Sequence, residues 1–218
     1  MSEVFSAEQR ALQDQFQTRG LADRVAEITW HGEVQEPDRL FIESRDMFFL
    51  STVDATGQPS CSYKGGEAGL VKVLDDKTIA FPSYDGNGCF VSMGNVAASS
   101  KVGLLFIDLE TPHRMRVHGD ARLSTDAALL AHWPGAELAV VVTVSQIFIN
   151  CPRYVHRYQR VATSHYVPDA AGTAPFAQWK RLDVVQDVLP PKDQGRAAEV
   201  GGPMTPEEYF ANAAAGRG

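Results

Sequence analysis

The chain is poor in residues that make covalent or metal staples. Its three cysteines, Cys61, Cys89 and Cys151, form no CxxC pair, and the odd number argues against a disulfide framework as well as a thiolate zinc site. They are read as reduced thiols, with Cys61 and Cys89 serving as small packing residues. The six histidines, at 31, 113, 118, 132, 156 and 165, show no H-E-x-x-H spacing and no carboxylate at ligand spacing, so no metal site is expected. No apolar run approaches the roughly 18 residues that a membrane-spanning helix needs, and the opening MSEVFSAEQR lacks the basic-then-apolar order of a signal peptide. The expectation is a cytoplasmic protein without a membrane partner. Positive charge is also scarce. Twenty Lys and Arg stand against 27 Asp and Glu, a net charge of −7, which excludes the broad basic footprint of a nucleic-acid binder. Any bound anion must be small and held by a local cluster.

What is present suffices for one sizeable core, since 44% of the 218 residues are hydrophobic. The chain divides into an N-terminal helical extension (1–35), a main domain (36–160) and a C-terminal extension with a short terminal helix (161–218). Ser6 followed by Gln9 is a capping-box pattern, Leu12 and Phe16 continue at helical spacing, and Gly20 is a natural stop. A second helix is expected over 21–28, and a third with Pro37 in its first turn, ending near Arg45. Thr205-Pro206-Glu207-Glu208 is a further helix start, and the last residues, 213–218, are expected to fray.

From Met47 the period becomes that of strands: 47–53, 59–63, 69–74, 78–82, 102–108, 114–123 and 139–150. Seven strands joined mostly by turns favour a closed antiparallel barrel, with a helix between Gly88 and Ser100. Strand 114–123 alternates cleanly. Met115, Val117, Gly119, Ala121 and Leu123 mark a core face, and Arg114, Arg116, His118, Asp120 and Arg122 a wet or ligand-lined one. The segment 139–150 is almost wholly apolar and is expected to be buried on both sides for part of its length. Gln146 within it is an anomaly, because a buried amide must be paired.

Two turns concentrate glycine and hydrogen-bonding groups: Ser62-Tyr63-Lys64-Gly65-Gly66 and Ser83-Tyr84-Asp85-Gly86-Asn87-Gly88. Backbone N–H groups free of Cβ crowding, beside hydroxyls and a cation, suit a phosphate-bearing ligand. A helix beginning near Asn87 would add unpaired N–H groups and partial positive charge.

The order D-x-x-G-x-P (54–59), F-P-S-Y-D-G-N-G (81–88), K-V-G-L-L-F-I-D (101–108), R-M-R-V-H-G-D-A-R-L (114–123) and F-I-N-C-P-R-Y-V-H-R (148–157) resembles the pyridoxamine 5'-phosphate oxidase-related, FMN-binding split-barrel family. The resemblance implies a mainly β fold, an antiparallel split β-barrel of Greek-key type with N-terminal helices. It implies FMN as cofactor, a homodimer with FMN at the subunit interface, and an oxidoreductase acting on a small molecule. Other members of the wider family are non-catalytic flavin- or haem-binding modules or F420-binding reductases. Carried onto this chain, the cofactor residues are Ser62, Tyr63, Lys64, Ser83, Tyr84, Asn87, Gly88, Arg116 and Gln146. Lys64, Ser83, Asn87 and Arg116 fall to the phosphate or ribityl chain, and the backbone of 62–64 with Gln146 to the ring edge. The oxidases themselves carry an arginine where Ser62 stands, so the chain is a divergent member. No catalytic acid or base is required, because the flavin carries the redox chemistry.

Overall fold

The computed structural model describes residues 4–216. Ser6 caps α1 (Ala7–Gln15) through a reciprocal capping box with Gln9. The expected stop at Gly20 is not used. The chain turns earlier, through Gln17 in a left-handed conformation (φ 54°), and Gly20 lies in the first turn of α2 (Arg19–Thr29). A two-residue strand, β1 (Trp30–His31), leads to α3 (Glu36–Glu43), with Pro37 in its first turn.

The alternating segments then fold as β2 (Met47–Val53), β3 (Pro59–Gly65), β4 (Lys72–Val73) and β5 (Thr78–Ser83). After α4 (Val91–Ser99) come β6 (Lys101–Asp108), β7 (His113–Ser124), the short α5 (Ala127–Leu130) and β8 (Leu138–Asn150). The C-terminal extension carries two 3-10 turns (Gln178–Arg181 and Asp183–Val185), α6 (Arg196–Glu199) and α7 (Pro206–Ala214). Thr205 and Glu208 close a second capping box on α7. The fraying expected at the end falls partly on Arg217 and Gly218, which lie outside the described residues.

All pairings between these strands are antiparallel, in the order β3-β2-β6-β7-β8-β5-β4, with β1 added to β8. The sheet is not closed, contrary to the barrel expected from the strand count. The strand expected over 69–74 shrinks to the two residues of β4, because side chains capture its backbone groups. Trp133 Nε1 donates to the Leu70 carbonyl (2.9 Å), Arg39 of α3 to the Val73 carbonyl (3.0 Å), and the Val73 N–H donates to Glu43 (3.1 Å). With those groups taken, β4 offers no ladder to β3, and both remain edges.

The core fills the concave side. Phe48, Leu50, Phe81, Leu104, Phe106, Met115, Val117 and Val142 are all at most 1% exposed, with Phe48 packed against Phe81 and Phe106 at ring distances of 4.9 and 5.5 Å. Met93 and Val96 of α4 close this core from above. The four consecutive buried residues 139–142 follow from a second cluster, in which Trp133 covers Ala80, Ala139 and Val141 on the other face of the sheet. At His118/Gly119 the β7–β8 register slips in a bulge.

Candidate functional site

Opposite residues in an antiparallel pair point to the same side, so the register decides which candidates can meet. Lys64 pairs with Phe48 and Ser62 with Leu50, both core residues, so Ser62 and Lys64 face inward. There they meet α4. Ser62 and Ser92 exchange a hydroxyl hydrogen bond (3.1 Å), Asn95 donates to Thr52 (3.0 Å), and Ser99 donates to the Val53 carbonyl (2.6 Å). These three bonds dock α4 across β2 and β3.

The N-terminus of α4 is unusual. Its cap residue, Phe90, is left-handed (φ 49°) and provides no side-chain cap. The first-turn N–H groups beside Ser92 therefore have no capping oxygen. The helix starts at Val91, later than the start near Asn87 that the sequence suggested. The Asn87 side chain instead accepts from the Cys89 N–H (3.0 Å), closing a local turn in the exposed loop that also carries Gly88. Lys64 lies two residues along the same strand face from Ser62, about 7 Å away. It makes no hydrogen bond or ion pair among the described residues, and burial lowers its pKa. An unpaired, half-buried ammonium thus sits beside hydroxyls and an uncapped helix end.

Tyr63, Arg116 and Gln146 face the other way. One cross-strand row runs Tyr63, Phe49, Leu105, Arg116, Phe148, Trp30 over the convex side. Arg116 donates to the Asn150 side-chain amide oxygen Oδ1 and lies over the Phe148 ring at 5.7 Å. Within one chain it therefore cannot share an anion with Lys64, and the two halves of the expected phosphate contact are separated by the sheet. Gln146 is half-buried rather than buried. Its amide pairs with His118, whose pKa is lowered by burial and by Arg116 and supported by that bond.

Ser83 ends β5, and Tyr84 follows it at the junction of two clefts. The larger, of about 710 Å3, lies between the β3 end at Tyr63, Gly65 and Gly66, the β6–β7 turn, and the chain segment 158–168. Tyr63 lies flat across Gly65, where a Cβ would come within 2.7 Å of the ring, so only glycine admits this pose. Burial, then Asp46, raises the Tyr63 pKa, and burial raises that of Tyr84, so both phenols stay neutral. Arg45 pairs with Asp108 (2.8 Å) and Arg160 with Asp46 across the cleft. The Asp108 carboxyl is held low despite burial by the Thr111 N–H and Arg45. The second cleft, about 410 Å3, shares Tyr84, Tyr166 and Pro168 with the first.

Sequence reasoning missed Ser92, the C-terminal wall of the cleft and the anchor of that wall. Ser92 had a local signal, a hydroxyl in the helix that follows a glycine-rich turn. The anchor had none. Lys180 (4% exposed) donates to Asp85 (2.5 Å) and to Asp193 (2% exposed, 2.6 Å), and Lys192 bonds Asp85 (3.0 Å) and Glu137. All three cysteines are exposed and unpaired, so Cys61 and Cys89 are not the packing residues expected. Among the described residues, no helix is long and apolar enough to cross a membrane, and no cluster of three His, Cys, Asp or Glu could hold a metal ion.

An open antiparallel sheet wrapped round its main core, with a helix docked over its edge strand, defines the class: a split-barrel protein. The family model described as pyridoxamine 5'-phosphate oxidase matches residues 35–169, more than half of the chain, and the protein belongs to that family. Solved structures are similar at low identity. HupZ of Group A Streptococcus is 19% identical, with 58% of this chain and 99% of that chain covered and a TM-score of 0.44. An FMN-binding protein of Syntrophomonas wolfei is 13% identical over 64% and 97%, with a TM-score of 0.43. HutZ, the haem storage protein of Vibrio cholerae, is 18% identical over 52% and 93%, with a TM-score of 0.39. No curated protein sequence matches the chain.

Proposed function

We propose that the protein is an FMN-binding flavoprotein and an oxidoreductase acting on a small molecule. The observation that carries this reading is the inward cradle at the β3 edge: Lys64 without a counter-charge, the Ser62 and Ser92 hydroxyls in contact, and the uncapped first turn of α4. Each group is a donor, so together they fit a phosphate. On the open side of β3, backbone groups not bonded to β2 suit the polar edge of a flavin ring. When bound, FMN supplies hydride and electron acceptance. The chain's own residues hold and orient it: Lys64, Ser62 and Ser92 at the phosphate end, Ser83 and the Asn87–Gly88 loop beside them, and Tyr84 at the cleft. The cleft fits the substrate, with about 710 Å3 of space and aromatic walls.

Arg116 and Gln146 fit a cofactor role only across a subunit boundary. We therefore include the homodimer in the proposal, with Phe49 and Leu105 of the convex row, beside Arg116, as its apolar contact. The exposed, unpaired thiols suit a reducing compartment such as the cytoplasm.

The test is a fluorescence titration of flavin-free protein with FMN. The expected result is one site per chain and at least about a tenfold loss of affinity in Lys64→Ala, since a charge-assisted phosphate contact is worth about 1.5–3 kcal/mol. Equal affinity of the wild type and Lys64→Ala would remove the cradle from the cofactor site.

A further inference from the structure

The larger cleft has a charge balance that names its ligand class. Five charged side chains line it among the described residues, and four of them cancel. Arg45 is paired with Asp108 and Arg160 with Asp46. The fifth, Glu110, makes no ion pair. One of its carboxylate oxygens accepts only the backbone N–H of Arg160 (3.0 Å). The lining residues therefore carry one uncompensated negative charge, while Arg157, outside the lining and in no ion pair among the described residues, donates through Nε to the Glu110 backbone carbonyl (3.0 Å).

Its walls are phenolic. Tyr63, Tyr84, Tyr158 and Tyr166 all line it, and the hydroxyls of the first three have no hydrogen-bond partner among the described residues. Tyrosine faces carry negative potential and attract ammonium groups. Gly65 lets the Tyr63 ring lie across the floor, while the chain from Tyr158 to Pro168 forms the opposite wall. That wall is tied down by Tyr158 N–H to the Leu109 carbonyl (3.0 Å) and Arg157 Nε to the Glu110 carbonyl (3.0 Å). A chain of net charge −7 also draws cations toward such a mouth.

We propose that this cleft binds a compact organic cation, a protonated or quaternary amine, and excludes phosphate esters. The proposal rests on reading the cleft as the substrate site. It separates this protein from the phosphorylated substrate in its family's name, because both guanidinium groups lining the cleft, Arg45 and Arg160, are already neutralised by carboxylates. Glu110 provides the counter-charge and the tyrosines the cage.

The experiment is isothermal titration of the purified protein, in FMN-loaded and flavin-free forms, with benzyltrimethylammonium, benzyl phosphate and benzyl alcohol. The quaternary ammonium should bind about tenfold or more tightly than the phosphate. Glu110→Gln keeps an acceptor for the Arg160 N–H and removes only the charge. It should weaken the cation about tenfold while leaving benzyl alcohol unchanged, and added salt should weaken the cation in wild type more than in the variant. Glu110 is exposed, so this variant should fold, and a Tyr158→Leu variant tests the cage without touching the charge. Equal or tighter binding of benzyl phosphate, or unchanged cation affinity in Glu110→Gln, overturns the proposal. Cation selectivity in flavin-free protein that takes up no FMN supports the cleft assignment while refuting the flavoprotein reading. FMN uptake without cation selectivity does the opposite.

Discussion

A lysine ammonium that is half withdrawn from water and has no carboxylate beside it gains free energy when an anion arrives. Lys64 is such a group, and its pKa is pushed below the ordinary 10.5 by burial. Only the protonated form attracts phosphate, so FMN affinity should fall as pH rises through that lowered pKa. The loss should come at a lower pH than for an exposed lysine. Titrations repeated from neutral to alkaline pH check this, and Lys64→Met should flatten the dependence; a profile unchanged by the substitution would contradict it. Residue identity was legible in the sequence at this scale, because Ser62, Lys64 and Gly65 stand out in a glycine-rich turn. Facing was legible only along a strand. The alternation in β7 puts Arg116 on the polar side, but only register with β2 puts Lys64 on the other side of the sheet. Gln146 looked like a buried orphan amide because its partner, His118 of the preceding strand, is set by the β7–β8 register, which the sequence does not show.

Among the elements, the long strands were readable from period two, and the capped helices from their Ser6–Gln9 and Thr205–Glu208 pairs. The misjudged elements were those decided by contacts from elsewhere. The strand expected over 69–74 lost its ladder to Trp133, Arg39 and Glu43, and α4 began at Val91 because Phe90 turns left-handed. The β7–β8 bulge gives a sharp test at this scale. A Cβ on Gly119 would lie 2.4 Å from the Thr143 carbonyl oxygen and 2.6 Å from a Val142 methyl. Backbone cannot yield as a side-chain tip can, so Gly119→Ala should cost about 2 kcal/mol of stability or more. Urea denaturation measures it. A loss under about 0.5 kcal/mol would show that the bulge adapts freely.

For the whole molecule, the C-terminal extension is the part least visible in the sequence, since Lys180 and Asp85 are 95 residues apart. Their cluster fastens the wall of the second cleft to the loop carrying Tyr84. Burial opposes the charge on Lys180, but Asp193 and Asp85 outweigh it and raise its pKa. Asp85 is likewise lowered, despite burial, by Lys180 and Lys192. The Asp85 contribution is complete above 3.8 and lost as pH falls through its lower folded value; that of Lys180 is complete below 10.5 and lost as pH rises through its higher folded value. Lys180→Met strands the Asp193 carboxylate with only Arg196 at 3.5 Å, and should cost about 3 kcal/mol. Hydrogen exchange over 178–196 should report the release, and unchanged protection there would show that the cluster does not anchor the segment.

The central claim, a flavin held at the β3 edge, is tested most directly by the absorbance spectrum of the purified protein from about 300 to 550 nm, with mass identification of the ligand released by heat. The account predicts flavin bands and the mass of FMN. A colourless protein that also fails to take up added FMN, or one that releases haem or F420 instead, would contradict it.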